Sequence, residues 1–317
     1  MIDIVAIGLS LCVFALFHHV IPQVEQEDIS KLPERYPTLA PTMQPGVSPT
    51  PAVTDSQGNV VDTSGWGASF PDKFTSGDVI QTENFYQSKN VNITVTKVEK
   101  NGVVYFVQDI YIRHIECFAT AFAKDKYGKG ISDTVLNMAT NNNAICAMNG
   151  DYYGSYPAKG VVIRNGTFYM SNPDGDVCVL FNNGEMKTYS KTGFDADTAM
   201  AQGAYQAWCF GPALLENGKA ITKTDSNVKP ANPRSGIGYF EPGHYCFVTV
   251  DGRQDGYSKG LTLFEYAKVF EELGCVEAYN LDGGQTAVMT FGDKVVNKPT
   301  NGGRKSSDIL LIRELEG

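Results

Sequence analysis

The sequence has no excess of positive charge. Its 26 Lys and Arg residues are outnumbered by 35 Asp and Glu residues, which gives a formal net charge of −9. Strong binding to a nucleic acid depends on a basic surface that replaces the counterions of the phosphate backbone. The composition therefore argues against a nucleic acid as the main partner, although a local cluster of arginines could still hold one phosphate.

Several motifs are also missing. Neither GxGxxG nor GxxxxGK[ST] occurs, so a nucleotide cofactor is not supported, and no fixed-period repeat is visible. There is no CxxC pair, which makes a zinc site improbable. The cysteines beyond the N-terminal region lie mostly in apolar, strand-like contexts, and they could be buried free thiols or disulfide partners: Cys117, Cys146, Cys178, Cys209, Cys246 and Cys275.

Charged residues are absent from Ile4 to Ile21, a run long enough to cross the hydrocarbon core of a membrane. Residues 1–21 are therefore predicted to be a transmembrane anchor, with a cleaved signal peptide as the alternative. The segment that follows is acidic and has no Lys or Arg before Lys31, which favours export of the C-terminal part. We expect a single-pass protein of the cell membrane whose main domain is extracytoplasmic.

Proline is concentrated directly after this run. Between Pro22 and Pro51 the sequence includes "PTLAPTMQPGVSPTP", with little apolar periodicity. Such a composition stays extended and forms a semi-rigid spacer. Residues 22–72 are predicted to be a stalk, and residues 73–317 the folded domain.

The first half of this domain is rich in strand patterns, such as "VNITVTKV" and "VVYFVQDIYI". A short capped helix is predicted over Ser132–Thr140, followed by a buried strand over Ala144–Met148. The pairs Asn165-Gly166 and Asn183-Gly184 are two-residue turn signals and predict hairpins.

The C-terminal half contains a strand, a helix and a second strand. "YCFVTV" ends at Asp251, and "TLFEYAKVFEELG" carries a capping box of Thr262 and Glu265, with Phe264, Ala267, Phe270 and Leu273 as the predicted apolar face. "CVEAYNL" then ends at Asp282. This βαβ pattern predicts two parallel strands, adjacent or nearly so, in one sheet. The predicted class is α+β, with a mixed β-sheet and a C-terminal parallel βαβ unit.

Polar residues follow three predicted strands at the point where each one ends. Asp251 and Asp282 should lie near each other at the same edge of the sheet, where ligand sites of such sheets are found. Asn149 follows another buried strand in the same way. Gly283 and Gly284 would let the backbone approach a ligand closely. A turn without chemistry is the alternative explanation of the Asp-Gly-Gly sequence.

Seven ordered stretches resemble the phosphodiester glycosidase family, over roughly Val103 to Ile312. They are "AICAMNGDYY", "GPALLENGKAI", "NPRSGIGYF", "VTVDGR", "GLTLFEYAKVFEELG", "AYNLDGGQTAVM" and "VVNKPTNGGRKSSDILLI". The resemblance implies a hydrolase that cleaves the sugar C1–O bond of a sugar-1-phosphodiester. Such a bond occurs in N-acetylglucosamine-1-phospho-linked glycans and in cell-surface glycopolymers. Asp151 and Gln285 stand where this family usually has glycine.

The resemblance, together with the chemistry of such a bond, gives the candidate site. Asp282 is the leading catalytic carboxylate and Asp251 the second, because attack on C1 or activation of water requires a carboxylate. Arginines can bind the phosphate through two parallel hydrogen bonds. The predicted substrate-binding residues are Asn149, Asp151, Arg234, Arg253, Gly283, Gly284, Thr286 and Arg304.

Two other functions remain open at this point. Asp151, Asp251 and Asp282 could hold Ca²⁺ or Mg²⁺, which prefer oxygen ligands, and the protein would then be a phosphodiesterase that cuts the P–O bond. Otherwise no cofactor is expected. The third possibility is a surface module that binds a glycopolymer without turnover.

Overall fold

The computed structural model describes residues 64–153 and 159–315, all within one compact unit, Glu34–Gly317. The predicted membrane span and most of the predicted stalk lie outside these residues. No helix in the two described ranges is long and apolar enough to cross a membrane.

Strands predominate over helices. The first strands are β1 (Ile80–Gln81), β2 (Phe85–Gln87), β3 (Val91–Lys100), β4 (Val103–Ile112), β5 (Phe118–Phe122), β6 (Ala144–Asn149), β7 (Gly160–Arg164), β8 (Thr167–Asn172), β9 (Val177–Phe181) and β10 (Met186–Tyr189). The others are β11 (Ala204–Trp208), β12 (Leu215–Glu216), β13 (Lys219–Ala220), β14 (Arg234–Glu241), β15 (His244–Val250), β16 (Glu277–Asn280), β17 (Met289–Phe291), β18 (Lys294–Val295) and β19 (Asp308–Arg313). The helices are α1 (Val135–Asn141), α2 (Ala196–Ala201) and α3 (Leu263–Leu273).

Three larger sheets form from these strands. The seven-stranded sheet has the order β1-β2-β3-β4-β15-β14-β16, and the two five-stranded sheets have the orders β10-β9-β11-β7-β8 and β18-β17-β6-β19-β5. The remaining pair is β12 with β13. With few helices beside these sheets, the α+β class is confirmed.

The main core lies where the three sheets meet. Ile110 and Phe247 come from the seven-stranded sheet, Trp208 from one five-stranded sheet, and Phe118 and Leu310 from the other, and all are buried in one apolar cluster. Each sheet also has a helix against it, because α3, α1 and α2 each pack in a smaller cluster of their own. Strands β9, β15 and β19 read as near-continuous apolar runs because nearly all of their residues are buried.

The two strands of the predicted βαβ unit, β15 and β16, lie in one sheet with a single strand between them. β14 lies between β15 and β16 and is antiparallel to both, so the two outer strands run in the same direction without pairing. All the strand pairs in the described residues are antiparallel, so the predicted mixed sheet is not formed. The sequence pattern fixes strand direction through the helix, but it does not reveal that an earlier strand inserts between the two.

Helix α3 has the predicted ends. The Thr262 and Glu265 capping box is present, and Gly274 closes the helix in the left-handed conformation at φ 89°. Its buried face differs from the prediction, since Leu273 is exposed and Phe264 half-buried. Ala267 and Phe270 are buried as predicted, together with Leu263, Tyr266 and Val269.

Other local predictions hold. Asn165-Gly166 connects β7 to β8 and Asn183-Gly184 lies between β9 and β10, with positive φ at Asn165, Gly166 and Gly184. The predicted helix after Ser132 begins at Val135, where the Thr134 side chain accepts from the Asn137 N–H. All six cysteines of the described domain are free and buried.

The folded region begins before the predicted boundary at residue 73. The Trp66 N–H donates to the Arg113 carbonyl at 2.8 Å, and Trp66 packs against the main core. The Phe70 ring lies 5.1 Å from that of Tyr111. Residues 64–72 therefore belong structurally with the domain rather than with a stalk.

Candidate active site

Asp282 lies directly after β16, where hydrogen bonds connect the chain to β14 and to the end of β6. The Leu281 N–H donates to the Ser235 carbonyl at 2.8 Å. Asn149, at the end of β6, donates from Nδ2 to the Asp282 carbonyl at 2.7 Å, and its Oδ1 accepts from Ser235 Oγ at 2.7 Å. The structure thus brings Asn149 and Asp282 together and fixes the Asp282 main chain.

The Asp282 carboxylate is nearly buried, with 7% of the residue exposed. Arg304 donates to its Oδ2 from Nη2 at 2.9 Å. Burial raises the pKa of Asp282 above its ordinary value, although the nearby Thr286 and Arg304 act in the opposite direction. A carboxylate in this state can take up a proton more readily than one exposed to solvent.

A cavity of about 250 Å³ opens at this carboxylate; we call it the Asp282 cavity. Its lining residues are Phe210, Val228, Asn232, Pro233, Arg234, Arg253, Asn280, Leu281, Asp282, Gly283, Gly284, Gln285 and Arg304. Three arginines and one aspartate carry the charge of this lining, in a chain whose net charge is −9. The local excess of positive charge suits an anionic ligand.

Arg304 is the lining arginine that contacts the carboxylate. Its side chain is 43% exposed, Nε donates to Thr286 Oγ1 at 2.9 Å, and the guanidinium lies 4.6 Å from the centre of the Tyr152 ring. These contacts orient the guanidinium while leaving much of it accessible. Tyr152 was not among the predicted site residues. No sequence pattern indicates its positive φ of 64°.

Arg253 is held by the side chain of Asn232. Its Nε and Nη2 donate to Asn232 Oδ1 at 3.0 and 2.7 Å. A Cβ on Gly284 would lie 3.3 Å from Arg253 Nη1, and Gly284 has φ +64°. A Cβ on Gly283 would lie 2.6 Å from the Pro233 carbonyl oxygen. The absence of a side chain therefore leaves room for Arg253 at Gly284 and for the Pro233 carbonyl at Gly283. The sequence prediction gave another reason for these glycines, the close approach of a ligand.

Arg234 is more buried than the other two arginines. Its guanidinium donates to the main-chain carbonyls of Leu261, Val228 and Pro230, at 3.1, 2.6 and 2.6 Å. Burial lowers the pKa of Arg234 to about 10, so it remains charged at neutral pH. Arg234 holds the cavity wall around residues 228–230 and contributes charge, instead of projecting freely toward a phosphate as predicted.

Asp251 does not line the Asp282 cavity. Its Oδ1 accepts from Asn297 Nδ2 at 2.8 Å, and Oδ2 accepts from Tyr257 Oη and the Lys298 N–H, both at 2.9 Å. Only 1% of the residue is exposed, and burial raises the pKa of the carboxyl group. These contacts give the carboxylate a structural role, because its oxygens accept from protein donors that fix residues 297–298, and its catalytic role stays a prediction.

Asp151 is also buried away from this cavity. It accepts from Arg164 Nη2 at 3.0 Å and from the Cys209 N–H at 3.0 Å. Arg164 binds Asp308 as well, with Nε 2.8 Å from Oδ2. The predicted substrate contact of Asp151 is thus replaced by a buried ion network of Asp151, Arg164 and Asp308.

The three carboxylates proposed as metal ligands do not fit an ion. Asp151 is bound to Arg164, Asp251 to the loop at residues 297–298, and Asp282 to Arg304. Across residues 64–153 and 159–315 no group of three or more His, Cys, Asp or Glu side chains is placed to hold a metal. Each carboxylate is bound to a different part of the protein, so the three do not converge on one ion.

The two remaining predicted residues form hydrogen bonds with residues that line the cavity. Asn149 and Thr286 are fully buried and do not line it. Thr286 accepts from Arg304, and Asn149 fixes the chain at Asp282. Both are therefore placed to position the site rather than to contact a ligand.

Comparisons with known proteins identify the family of this chain. The family model described as phosphodiester glycosidase matches residues 142–313, more than half of the chain, and the chain belongs to this family. The predicted resemblance is thereby confirmed. The matched range includes every lining residue of the Asp282 cavity.

A relative in Bacillus subtilis (strain 168), the SPbeta prophage-derived uncharacterized protein YomE, is 28% identical. The similarity covers 74% of this chain and 42% of YomE, so the chain spans less than half the length of this relative. The catalytic domain of zebrafish N-acetylglucosamine-1-phosphodiester alpha-N-acetylglucosaminidase, solved auto-inhibited by its pro-peptide, has a TM-score of 0.57 at 17% identity. That match covers 82% of this chain and 90% of the zebrafish chain, and it shows a shared fold.

Proposed function

We propose that the protein is a hydrolase that cleaves the sugar C1–O bond of a sugar-1-phosphodiester. The observation that carries this proposal is the Asp282 cavity, which is lined by one nearly buried carboxylate and three arginines. Such a lining pairs a group able to act at C1 with cations able to bind the phosphate. Membership of the phosphodiester glycosidase family supports the same reaction.

The reaction would use a single lining carboxylate. Ionised Asp282 either attacks C1 or takes the proton of a water molecule whose oxygen bonds to C1. The C1–O bond breaks, and its electron pair leaves with the phosphate monoester. If Asp282 is the nucleophile, a water molecule then bonds to C1 and loses a proton to solvent, the bond from C1 to the Asp282 oxygen breaks, and the carboxylate is restored. Because that leaving group is already a weak base, it needs less protonation than the alcohol of an ordinary glycoside, for which a second carboxylic acid is used. The structural role of Asp251 is compatible with this requirement.

Two arginines would stabilise the departing phosphate. Arg304 and Arg253 both present guanidinium groups at the cavity, and each is held by a hydrogen bond to a neighbouring side chain. Groups that are already oriented lose little freedom when negative charge develops next to them. Arg304 would also keep Asp282 ionised, because its charge lowers the pKa of that carboxyl group.

The substrate class is a phosphodiester-linked sugar, as either a small molecule or a cell-surface glycopolymer. The extracytoplasmic location remains a prediction from the uncharged run at Ile4–Ile21. Protease treatment of intact cells that express the protein with a C-terminal tag would test it. Loss of the tag in intact cells supports the location, and protection of the tag until lysis contradicts it.

Isotope labelling tests the reaction. The full-length protein is incubated in ¹⁸O water with a panel of N-acetylglucosamine 1-phosphodiesters. We expect ¹⁸O in the released sugar, and a fall in kcat/KM of about 100-fold or more for Asp282→Asn, because general-base or nucleophilic assistance is lost.

Asp109→Asn is the matched control, since Asp109 pairs with His244 outside the cavity and its side chain is 41% exposed; it should keep the wild-type rate. Label in the phosphate would indicate P–O cleavage instead. Binding without turnover would indicate a recognition module.

A further inference from the structure

Arg304 has N–H groups that no described residue uses. Nε donates to Thr286 Oγ1 at 2.9 Å, and Nη2 donates to Asp282 Oδ2 at 2.9 Å and also to Thr286 Oγ1. A guanidinium group carries one N–H on Nε and two on each Nη, all in one plane, so these contacts use Nε and both hydrogens of Nη2. Nη1 forms no hydrogen bond with residues 64–153 or 159–315. Its donors are therefore the ones that remain for a phosphate in the Asp282 cavity.

The face of the same guanidinium group lies against the Tyr152 ring. The Arg304 Cζ atom is 4.6 Å from the ring centre, a distance at which the π electrons of the ring attract a cation. Hydrogen bonds along one edge of a planar group leave the plane able to tilt about that edge, whereas a ring against its face limits this tilt. The position of the Tyr152 ring therefore limits the directions in which Nη1 can point.

The main chain of Tyr152 adopts an uncommon conformation that its neighbours enforce. Its φ of 64° lies in the left-handed region, where a residue with a bulky side chain is strained. On one side Asp151 is bound to Arg164 at 3.0 Å, and on the other Tyr153 is buried and stacks on Tyr127, with ring centres 5.3 Å apart. Strained residues persist where the surroundings hold them in place, and they cluster at functional sites. The buried ion network that includes Asp151 thus supports the position of the Tyr152 ring.

The chain just before Tyr152 is also attached to the chain that carries the Asp282 carboxylate. The Asp282 N–H donates to the Gly150 carbonyl at 3.3 Å, and Asn149 Nδ2 donates to the Asp282 carbonyl at 2.7 Å. These hydrogen bonds involve no atom of the Tyr152 side chain. A substitution of that side chain should therefore change the contact with Arg304 while Asp282 stays in place.

We infer that Tyr152 is a positioning residue, which directs the Nη1 donors of Arg304 toward the phosphate of the substrate. This inference rests on the proposed function, which supplies the phosphate. The contact with Arg304 is made by the ring of Tyr152 rather than by its hydroxyl group. An aromatic ring is therefore required at residue 152, and a phenylalanine would serve in place of the tyrosine.

Variants with and without a ring at residue 152 test the inference. The probes are the methyl phosphodiester of N-acetylglucosamine 1-phosphate for kcat/KM, and methyl phosphate for Kd by titration calorimetry. We expect Tyr152→Leu to weaken methyl phosphate binding about fivefold and to lower kcat/KM by at least the same factor, the effect of losing one partly exposed cation–π contact. Tyr152→Phe should keep the wild-type values.

Tyr152→Gly separates positioning from folding. Glycine adopts positive φ without strain, so this variant is expected to fold, which circular dichroism would check. It also provides a folded comparison if Tyr152→Leu does not fold. Because it lacks the ring, it should lose the same affinity for methyl phosphate as the leucine variant. A residue with only a structural role would not change phosphate affinity in a variant that remains folded.

Tyr111→Leu is the matched control. The Tyr111 ring lies 4.1 Å from Lys73 Nζ, and neither residue lines the Asp282 cavity, so its loss should leave both measurements unchanged. The role of Arg304 is tested by combining two substitutions. In an Arg304→Met background, Tyr152→Leu should have no further effect, because Tyr152 acts through Arg304.

The outcomes separate failure of the inference from failure of the proposed function. If the wild type turns over the phosphodiester, three results would overturn the inference alone: wild-type affinity in Tyr152→Leu and Tyr152→Gly, an equal loss in Tyr152→Phe, or additive losses with Arg304→Met. Turnover without any binding of methyl phosphate would do the same. Binding of methyl phosphate that depends on Tyr152, without turnover, would overturn the proposed function and support the inference. Neither binding nor turnover would overturn both.

Discussion

The ion pairs of Arg164 and of Arg304 differ in how much of the arginine side chain is exposed to solvent. Arg164 is 2% exposed and binds both Asp151 and Asp308, whereas Arg304 is 43% exposed and binds Asp282 at the mouth of a cavity. The arginine-to-carboxylate distances are similar, at 3.0 and 2.9 Å. Accessibility, rather than the presence of an ion pair, distinguishes a candidate active site from a structural network.

The largest expected effect on stability is at Arg164. Arg164→Met leaves the two buried carboxylates of Asp151 and Asp308 without their cation, and breaking a buried ion pair in this way costs about 3–5 kcal/mol. Urea denaturation would measure the loss. The matched variant Arg304→Met should cost less, because the Arg304 side chain is 43% exposed and solvent screens this pair. Equal losses would contradict the distinction between the two ion pairs.

A smaller effect is expected at Asp251. Asp251→Asn replaces an acceptor oxygen by an NH₂ group that faces other donors, including the Lys298 N–H, and we expect a loss of about 1–3 kcal/mol in the free energy of unfolding. The fall in kcat/KM should be smaller than that of Asp282→Asn. A large loss of activity with unchanged stability would instead make Asp251 a catalytic residue.

The smallest effect concerns pH. Asp282 must be ionised to act as a nucleophile or base, and burial raises its pKa above the ordinary value of 3.8. Activity should therefore rise with pH through this raised pKa. Arg304→Met removes a cation that lowers the pKa, so the acidic limb of the residual kcat/KM profile should move to higher pH. An unchanged limb would show that another group controls it.

Local structure followed well from local sequence. The capping box of α3 and the hairpins at Asn165-Gly166 and Asn183-Gly184 depend on residues close in the chain. The insertion of β14 between β15 and β16 did not follow. Strand order depends on which apolar faces pack together across the whole domain, and no local pattern records it.

The candidate site divides in the same way. Asp282, Arg253 and Arg304 were identified from motifs, and they line one cavity. Asp151 and Asp251 carry equally plausible signals but are occupied by Arg164 and by the loop at Asn297.

The sequence by itself determined the family, the capped helix and the hairpins, because ordered motifs and turn residues act over short distances along the chain. Only the tertiary structure decided which carboxylates remain accessible. The partners that occupy Asp151 and Asp251, and the arginine that binds Asp282, come from other positions in the chain. Whether a side chain is available for chemistry depends on those partners, which are brought to it only by folding.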